Sequence, residues 1–232
     1  MATVGLVCAH YQKKNLLRTA RALDRINSSI HMVHSVLVSN DEESWVGLNA
    51  EIAGRSQSCE IIRHDNSGLE FGAYQAGIDR LVAGFDPDWI LIANDTFATH
   101  SNFSTVYRDK LVDELAHVRD FPAIIGQVES LSRSYELAGL RTHRWITTHL
   151  FAINRDALRA LGGRIYWPEL ETLVTDTSDM SAFFSPAVDP VLRDHLEVWL
   201  FSTRPGPHWY ASEPLRPVNV AKMARKARSI LQ

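Results

Sequence analysis

Two rhythms of apolar and polar positions alternate along the first half of the chain. Val4 to Ala9 is a short, unbroken apolar run of strand length, and 13–27 follows with Leu16, Ala20 and Leu23 at helical spacing. Met32 to Val38 repeats the strand pattern and ends in Ser39, Asn40 and Asp41, polar residues suited to a turn or a helix start. A helix over 43–54, closed by Gly54, and a strand from Cys59 to His64 come next. From Leu69 to Ala83, the residues Phe71, Tyr74, Ile78 and Leu81 fall along one helix face. Trp89 to Ala93 is uniformly apolar, as expected of a strand buried on both faces, and a helix at 104–118 and a strand from Ala123 to Val128 continue the alternation.

This order predicts an α/β fold, a mostly parallel sheet with helices on both faces. The second half is less regular. Residues 129–144 read as a polar loop, 145–153 as a strand, and Arg155 to Leu161 as a short helix capped by Asn154 and stopped by Gly162. No periodic signal assigns 164–188. Asp189 and Pro190 open a helix that turns Leu192, Leu196 and Trp199 inward, and Val218 to Leu231 forms a last amphipathic helix. A single domain over 1–232 is expected, with halves 1–128 and 129–232.

Composition supports one continuous core, since 45% of the 232 residues are hydrophobic and six Trp and nine Phe are available to fill it. A net charge of −3, and no helix-length basic stripe with interleaved aromatics in the first 200 residues, argue against a nucleic-acid partner. Cys8 and Cys59 lie in apolar runs, which suits buried thiols and a reducing compartment. The N-terminal apolar run is too short to span a bilayer and lacks the small residues of a signal cleavage site. A cytoplasmic protein is expected, with any membrane contact peripheral.

Open parallel sheets bind ligands outside the carboxyl ends of their strands. Those ends carry Ala9, His10 and Tyr11, then Asn40 and Asp41, then Asp65 to Gly72, then Asn94 to Thr96. The third set is the densest, with Asn66, Gly68, Glu70, Phe71 and Gly72. Its glycines permit close backbone approach and the helix start beside them favours an anion, although a plain turn and a packing glycine explain the same residues. No GxGxxG follows the first strand and no GxxxxGK[ST] occurs, which disfavours nicotinamide-cofactor and P-loop chemistry. The ten histidines form no HExxH or Cys/His ligand pattern, and no GxSxG elbow is present, so hydrolase chemistry has no support.

Asn66-Ser67-Gly68, followed by Phe71-Gly72-Ala73-Tyr74-Gln75-Ala76-Gly77 and then Ile90-Leu91-Ile92-Ala93-Asn94-Asp95-Thr96, resembles the nucleotide-binding half of GT-A glycosyltransferases. Bacterial polysaccharide enzymes related to rhamnan synthesis proteins are the nearest in pattern, and the resemblance covers residues 3–128. It implies a GT-A-like domain whose half 1–128 binds a nucleotide sugar and whose half 129–232 receives the acceptor. Ala9, His10, Tyr11, Asn40 and Asp41 would hold base and ribose. Asn66, Gly68, Glu70, Phe71, Gly72 and Asn94 would lie near ribose or diphosphate. Asp95 would stand for the last carboxylate of the family's Asp-x-Asp motif, which binds a divalent cation, Mg²⁺ or Mn²⁺. Ala93 occupies the place of the first Asp. Mg²⁺ is held elsewhere by one or two carboxylates with phosphates and water, so a single Asp suffices in principle.

The implied activity is that of a hexosyltransferase. It would move a sugar from a nucleotide diphosphate donor to a saccharide or lipid-linked saccharide in cell-surface polysaccharide synthesis, with inversion. Inversion needs a carboxylate to take the acceptor proton. Asp194 and Glu197 are the matching candidates, Asp176 and Asp179 further ones, and His208, Trp209 and Tyr210 offer a late ligand or a sugar-stacking surface. The tail carries Arg216, Lys222, Arg225, Lys226 and Arg228 and no acidic residue, which suits a helix resting on the inner face of a membrane or a solvated helix capping the domain. Two alternatives stay open. A nucleotidyltransferase would want a glycine-rich basic loop after the first strand, where His10-Tyr11-Gln12-Lys13-Lys14 is basic without glycine; a non-catalytic binding module would explain the missing first Asp.

Overall fold

The computed structural model describes residues 2–52, 58–99, 103–201 and 213–232. Six strands form one sheet: β1 (Thr3–His10), β2 (His31–Ser39), β3 (Cys59–Arg63), β4 (Trp89–Asn94), β5 (Ile124–Leu137) and β6 (Leu140–Asn154), in the order β3-β2-β1-β4-β6-β5. The first four are parallel, with Ala9 opposite both Val38 and Asn94, and β6 runs antiparallel to β4 with Phe151 opposite Ile92. The helices are α1 (Leu16–Asn27), α2 (Glu42–Ile52), α3 (Leu69–Val82), α4 (Thr105–Leu115), α5 (Arg155–Ala160), α6 (Met180–Phe183), α7 (Pro190–Phe201) and α8 (Val220–Leu231).

The period of two along each strand divides the core. Val4, Leu6 and Cys8 of β1 share one face with Trp89, Leu91 and Ala93 of β4, under Ala22, Leu23 and Ile26 of α1 and Leu111 and Leu115 of α4. Val7 and Ala9 share the other with Ile90 and Ile92, under Phe71, Tyr74, Ile78 and Leu81 of α3 and Ala157 and Leu158 of α5. Burial on both faces is why these strands read as unbroken apolar runs. The expected α/β architecture, a mostly parallel sheet with helices on both faces, is the one found.

One expectation fails. Residues 129–144 are not a loop: β5 continues to Leu137, and β6 begins at Leu140 after the turn at Ala138 and Gly139, both at positive φ. Leu131, Tyr135 and Leu137 share one parity and pack on one core, with Arg133 in the same row and Ser132, Ser134 and Glu136 in the other. That one-sided, polar-rich ribbon gave the composition of a loop. Elsewhere the boundaries shift by a few residues; 164–188 contains a 3-10 turn at Pro168–Leu173 and α6, and Gly54 lies outside the described residues.

Cores and chain path define two compact units, Met1–Val128 with Ile146–Tyr166, and Glu129–Trp145 with Trp167–Gln232. The second has its own apolar centre, in which Leu192, Leu196 and Leu200 of α7 meet Phe183 and the Met223, Ala224, Ala227 and Leu231 face of α8. The apolar stripe of α8 is therefore spent inside its own unit. Arg228 is tied to Asp176 at 3.1 Å and Lys222 to Glu213, so part of the tail's positive charge is met within its own unit. Among the described residues no helix is long and apolar enough to cross a membrane.

Candidate functional site

The chain winds from β1 outward through β2 to β3, then returns to place β4 on the other side of β1. Connections leave the carboxyl ends of β1 and β4 in opposite directions, and such a switch point is where open α/β sheets take ligands. Asp95 follows β4 there and is 1% exposed. Its Oδ2 accepts hydrogen bonds from the backbone N–H of Gln12 at 2.8 Å and of Tyr11 at 3.2 Å, and from Asn15 Nδ2 at 3.3 Å. The Thr19 hydroxyl of α1 donates to the Asp95 carbonyl at 2.8 Å. The segment after β1 is thus folded around this carboxylate, and Asp95 Oδ1 is buried with no hydrogen bond.

A second polar group lies on the α3 side of the sheet. Glu70, in the first turn of α3, accepts from Thr148 Oγ1 at 2.7 Å and from Asn94 Nδ2 at 3.1 Å. Asn94 Oδ1 in turn accepts from the Thr96 backbone and hydroxyl, so the Asn94 side chain is fully engaged within the protein. Tyr74 donates to the Thr148 carbonyl at 2.8 Å and fixes that stretch of β6. Glu70 keeps a little solvent contact, yet its carboxyl group is enclosed: desolvation raises its pKa, the bonds from Thr148 and Asn94 hold it down in part, and the Asp95 charge pushes it further up.

Between these groups lie polar atoms that the protein does not satisfy. Both ring nitrogens of His10, the Tyr11 hydroxyl and Asn40 Oδ1 are buried without a hydrogen bond. Burial lowers the His10 pKa, outweighing the charges of Asp95 and Asp41, which act to raise it. Burial raises that of Tyr11, with Glu70 and Asp95 adding to the rise, while the nearby Asn40 side chain, too poorly aligned for a regular hydrogen bond, holds it down in part. Asn40 spends its amide on Asn66 Oδ1 at 2.7 Å, joining the ends of β2 and β3.

The glycines of the 66–72 segment answer to packing. Gly68 has φ +64, and a Cβ there would lie 2.4 Å from the Tyr166 ring; a Cβ on Gly72 would lie 2.0 Å from the Ser67 carbonyl oxygen. Both are closed by this chain's own atoms, so neither supplies the open backbone approach expected for a ligand. Ala9 and Phe71 are core residues. Asp41 is exposed at the start of α2.

The structure therefore brings His10, Tyr11, Asn40, Asn66, Glu70, Asn94 and Asp95 together at one sheet edge. It also adds Gln12, Asn15, Thr19 and Thr148, which sequence reasoning passed over. The signal for the last was present: Thr147, Thr148 and His149 form a polar run directly before the apolar, buried end of β6 at 150–153. In the second unit, Asp194 is exposed on α7 and faces Arg133 at 3.8 Å, while Glu197 is half-buried on the same helix. Asp179 caps α6 through Ser181, and Asp176 is the partner of Arg228. His208, Trp209 and Tyr210 lie outside the described residues.

A divalent cation would find one usable atom here, Asp95 Oδ1, because Oδ2 is committed to three N–H donors. No group of three or more His, Cys, Asp or Glu side chains converges to hold a metal among the described residues. The residues fit a cation bound through one carboxylate oxygen, with phosphate and water as its other ligands.

Fold and site together define an open α/β architecture with a candidate ligand position at its topological switch point. No family model matches the chain, and no curated protein matches it in sequence. Among solved structures it is similar to a mannosyltransferase from Pyrobaculum calidifontis in complex with GDP-Man and Mn²⁺, at 10% identity and a TM-score of 0.44, over 78% of this chain and 53% of that one. The chain thus spans about half the length of that protein. It is also similar to a 4-diphosphocytidyl-2C-methyl-D-erythritol synthase, at 11% identity and a TM-score of 0.39, over 100% of this chain and 99% of that one. Neither is a rhamnan synthesis protein, and likenesses this distant identify no activity.

Proposed function

We propose that this chain is a glycosyltransferase whose nucleotide diphosphate sugar donor binds at the carboxyl ends of β1, β2 and β4. The observation that carries the reading is the cluster of unsatisfied buried polar atoms there, on His10, Tyr11, Asn40 and Asp95. Buried polar groups are almost always paired, so a cluster of unpaired ones at a switch point is suited to a polar ligand. A nucleoside offers ribose hydroxyls and base edges as partners for His10, Tyr11 and Asn40, and Asp95 Oδ1 lies within the same set.

Asp95 is held in one orientation by the Tyr11 and Gln12 amides, so its free oxygen is aimed before any ligand arrives. A divalent cation bound there would neutralise the diphosphate leaving group. Glu70, with its pKa raised, and Thr148 and Asn94 around it form a polar wall on the α3 side that orients the sugar-bearing end of the donor. The acceptor hydroxyl must lose a proton as it attacks the anomeric carbon, a step that calls for a carboxylate base.

A thermal-shift titration of UDP, GDP, CDP and dTDP, with and without Mn²⁺, tests the donor site. One of them at a hundredfold its Kd should raise Tm by roughly 5–10 °C, since such binding adds about 2.7 kcal/mol and each kcal/mol moves a chain of this size by about 2–4 °C. Asp95→Asn should abolish the Mn²⁺-dependent part. No shift with any diphosphate sinks the reading; a shift without sugar transfer or donor hydrolysis leaves a binding module.

A further inference from the structure

Helix α1 has two faces with different work. Asn15 and Thr19 hold Asp95, and Ala22, Leu23 and Ile26 are buried in the core. Away from them Arg18, Arg21 and Arg25 recur at i, i+3 and i+7 along one face of α1, and with Lys14 of the preceding 3-10 turn (Lys13–Asn15) and Leu17 they line a shallow surface depression. All four cations are exposed, and none is paired with a carboxylate among the described residues. Asp24 is the only acid on α1 and lies off that line. Glu42 of the neighbouring α2 is committed to Arg63. The stretches 53–57, 100–102 and 202–212 contain no Asp or Glu. In a chain of net charge −3, four clustered cations with no carboxylate partner among the described residues are a local reversal of sign.

We propose that this face of α1 docks on an anionic phospholipid surface. The cations are spread over about 16 Å of helix, a footprint that matches several headgroups better than one small anion. Leu17, 57% exposed beside them, gives the contact a small apolar foothold at the headgroup boundary. Among the described residues no aromatic side chain lines the depression, which does not favour the base-stacking surface of a single-strand binder. The helix need not refold to dock, because its inner face is already fixed in the core. The inference does not depend on what the switch point binds, although docking through α1 sets Asp95 on the opposite side of the same helix from the lipid.

Co-sedimentation of the full chain with phosphatidylcholine vesicles, with and without phosphatidylserine, tests this. Binding is expected only with phosphatidylserine and should fade in high salt. Removing each cation should weaken it about fivefold, so Arg18→Glu with Arg21→Glu should cost at least about 25-fold, whereas Arg225→Glu on α8 should leave it within about twofold. The exposed α1 positions should keep the wild-type Tm, and the diphosphate response in the same variants reports on the nucleotide site separately. The proposal is overturned by equal binding to both vesicles, by an unchanged affinity in the α1 double variant, by an α8 effect as large as that of either α1 single variant, or by binding to single-stranded DNA with none to vesicles.

Discussion

Glu70 is the side chain whose environment most constrains its charge. A carboxyl whose folded pKa is raised above the unfolded value binds its proton more readily when folded, so stability falls as pH rises from the ordinary value of 4.5 through the folded one. Gln is nearly the same shape and can still meet Thr148 and Asn94. Glu70→Gln should therefore have a higher Tm than the wild type at neutral pH, with the difference closing as pH drops below 4.5; melting curves across that range that stay parallel would count against a strained carboxylate. Sequence position was enough to place Glu70 at a helix start near the strand ends. It was silent about Thr148, because a partner that arrives from 78 residues away has no local pattern.

At the scale of elements, periodicity located β1 to β4, α1 and α3 well, since each turns apolar side chains into a core, those of β3 only partly buried. The β5–β6 ribbon was missed because its turn carries Ala138-Gly139, without the Asn or Asp that usually announces a two-residue hairpin. Ala138 sits at φ 51, where a Cβ is disfavoured and Asn is tolerated. Ala138→Asn should accordingly stabilise the protein by up to about 1 kcal/mol, read as a Tm rise of about 2–4 °C. A fall in Tm would mean the turn is not of the type these angles describe. The glycines carried a different ambiguity: their spacing suggested ligand approach, and only the Tyr166 ring and the Ser67 carbonyl reveal that the chain itself fills the space.

At the scale of the molecule, the residues proposed to bind donor all belong to the unit containing β1 and β4, and α7 and α8 build a separate core. Leu196 is 1% exposed at that second core's centre. Leu196→Ala should cost about 2–5 kcal/mol in unfolding free energy while leaving the Kd of the bound diphosphate within about twofold. A large loss of nucleotide affinity at temperatures where the variant remains folded would show that the second core shapes the donor site. Composition reports how much apolar material exists, not how it is partitioned.

The hydrogen bonds from Tyr11 and Gln12 to Asp95 span 84 and 83 residues of chain. Closing a loop of that length costs entropy that short-range contacts do not repay, and rates of folding fall as such separations grow. The carboxylate's cradle is therefore assembled only once β4 has docked beside β1. A nascent chain that has not yet delivered Asp95 has β1 and its following turn, and nothing for them to grip.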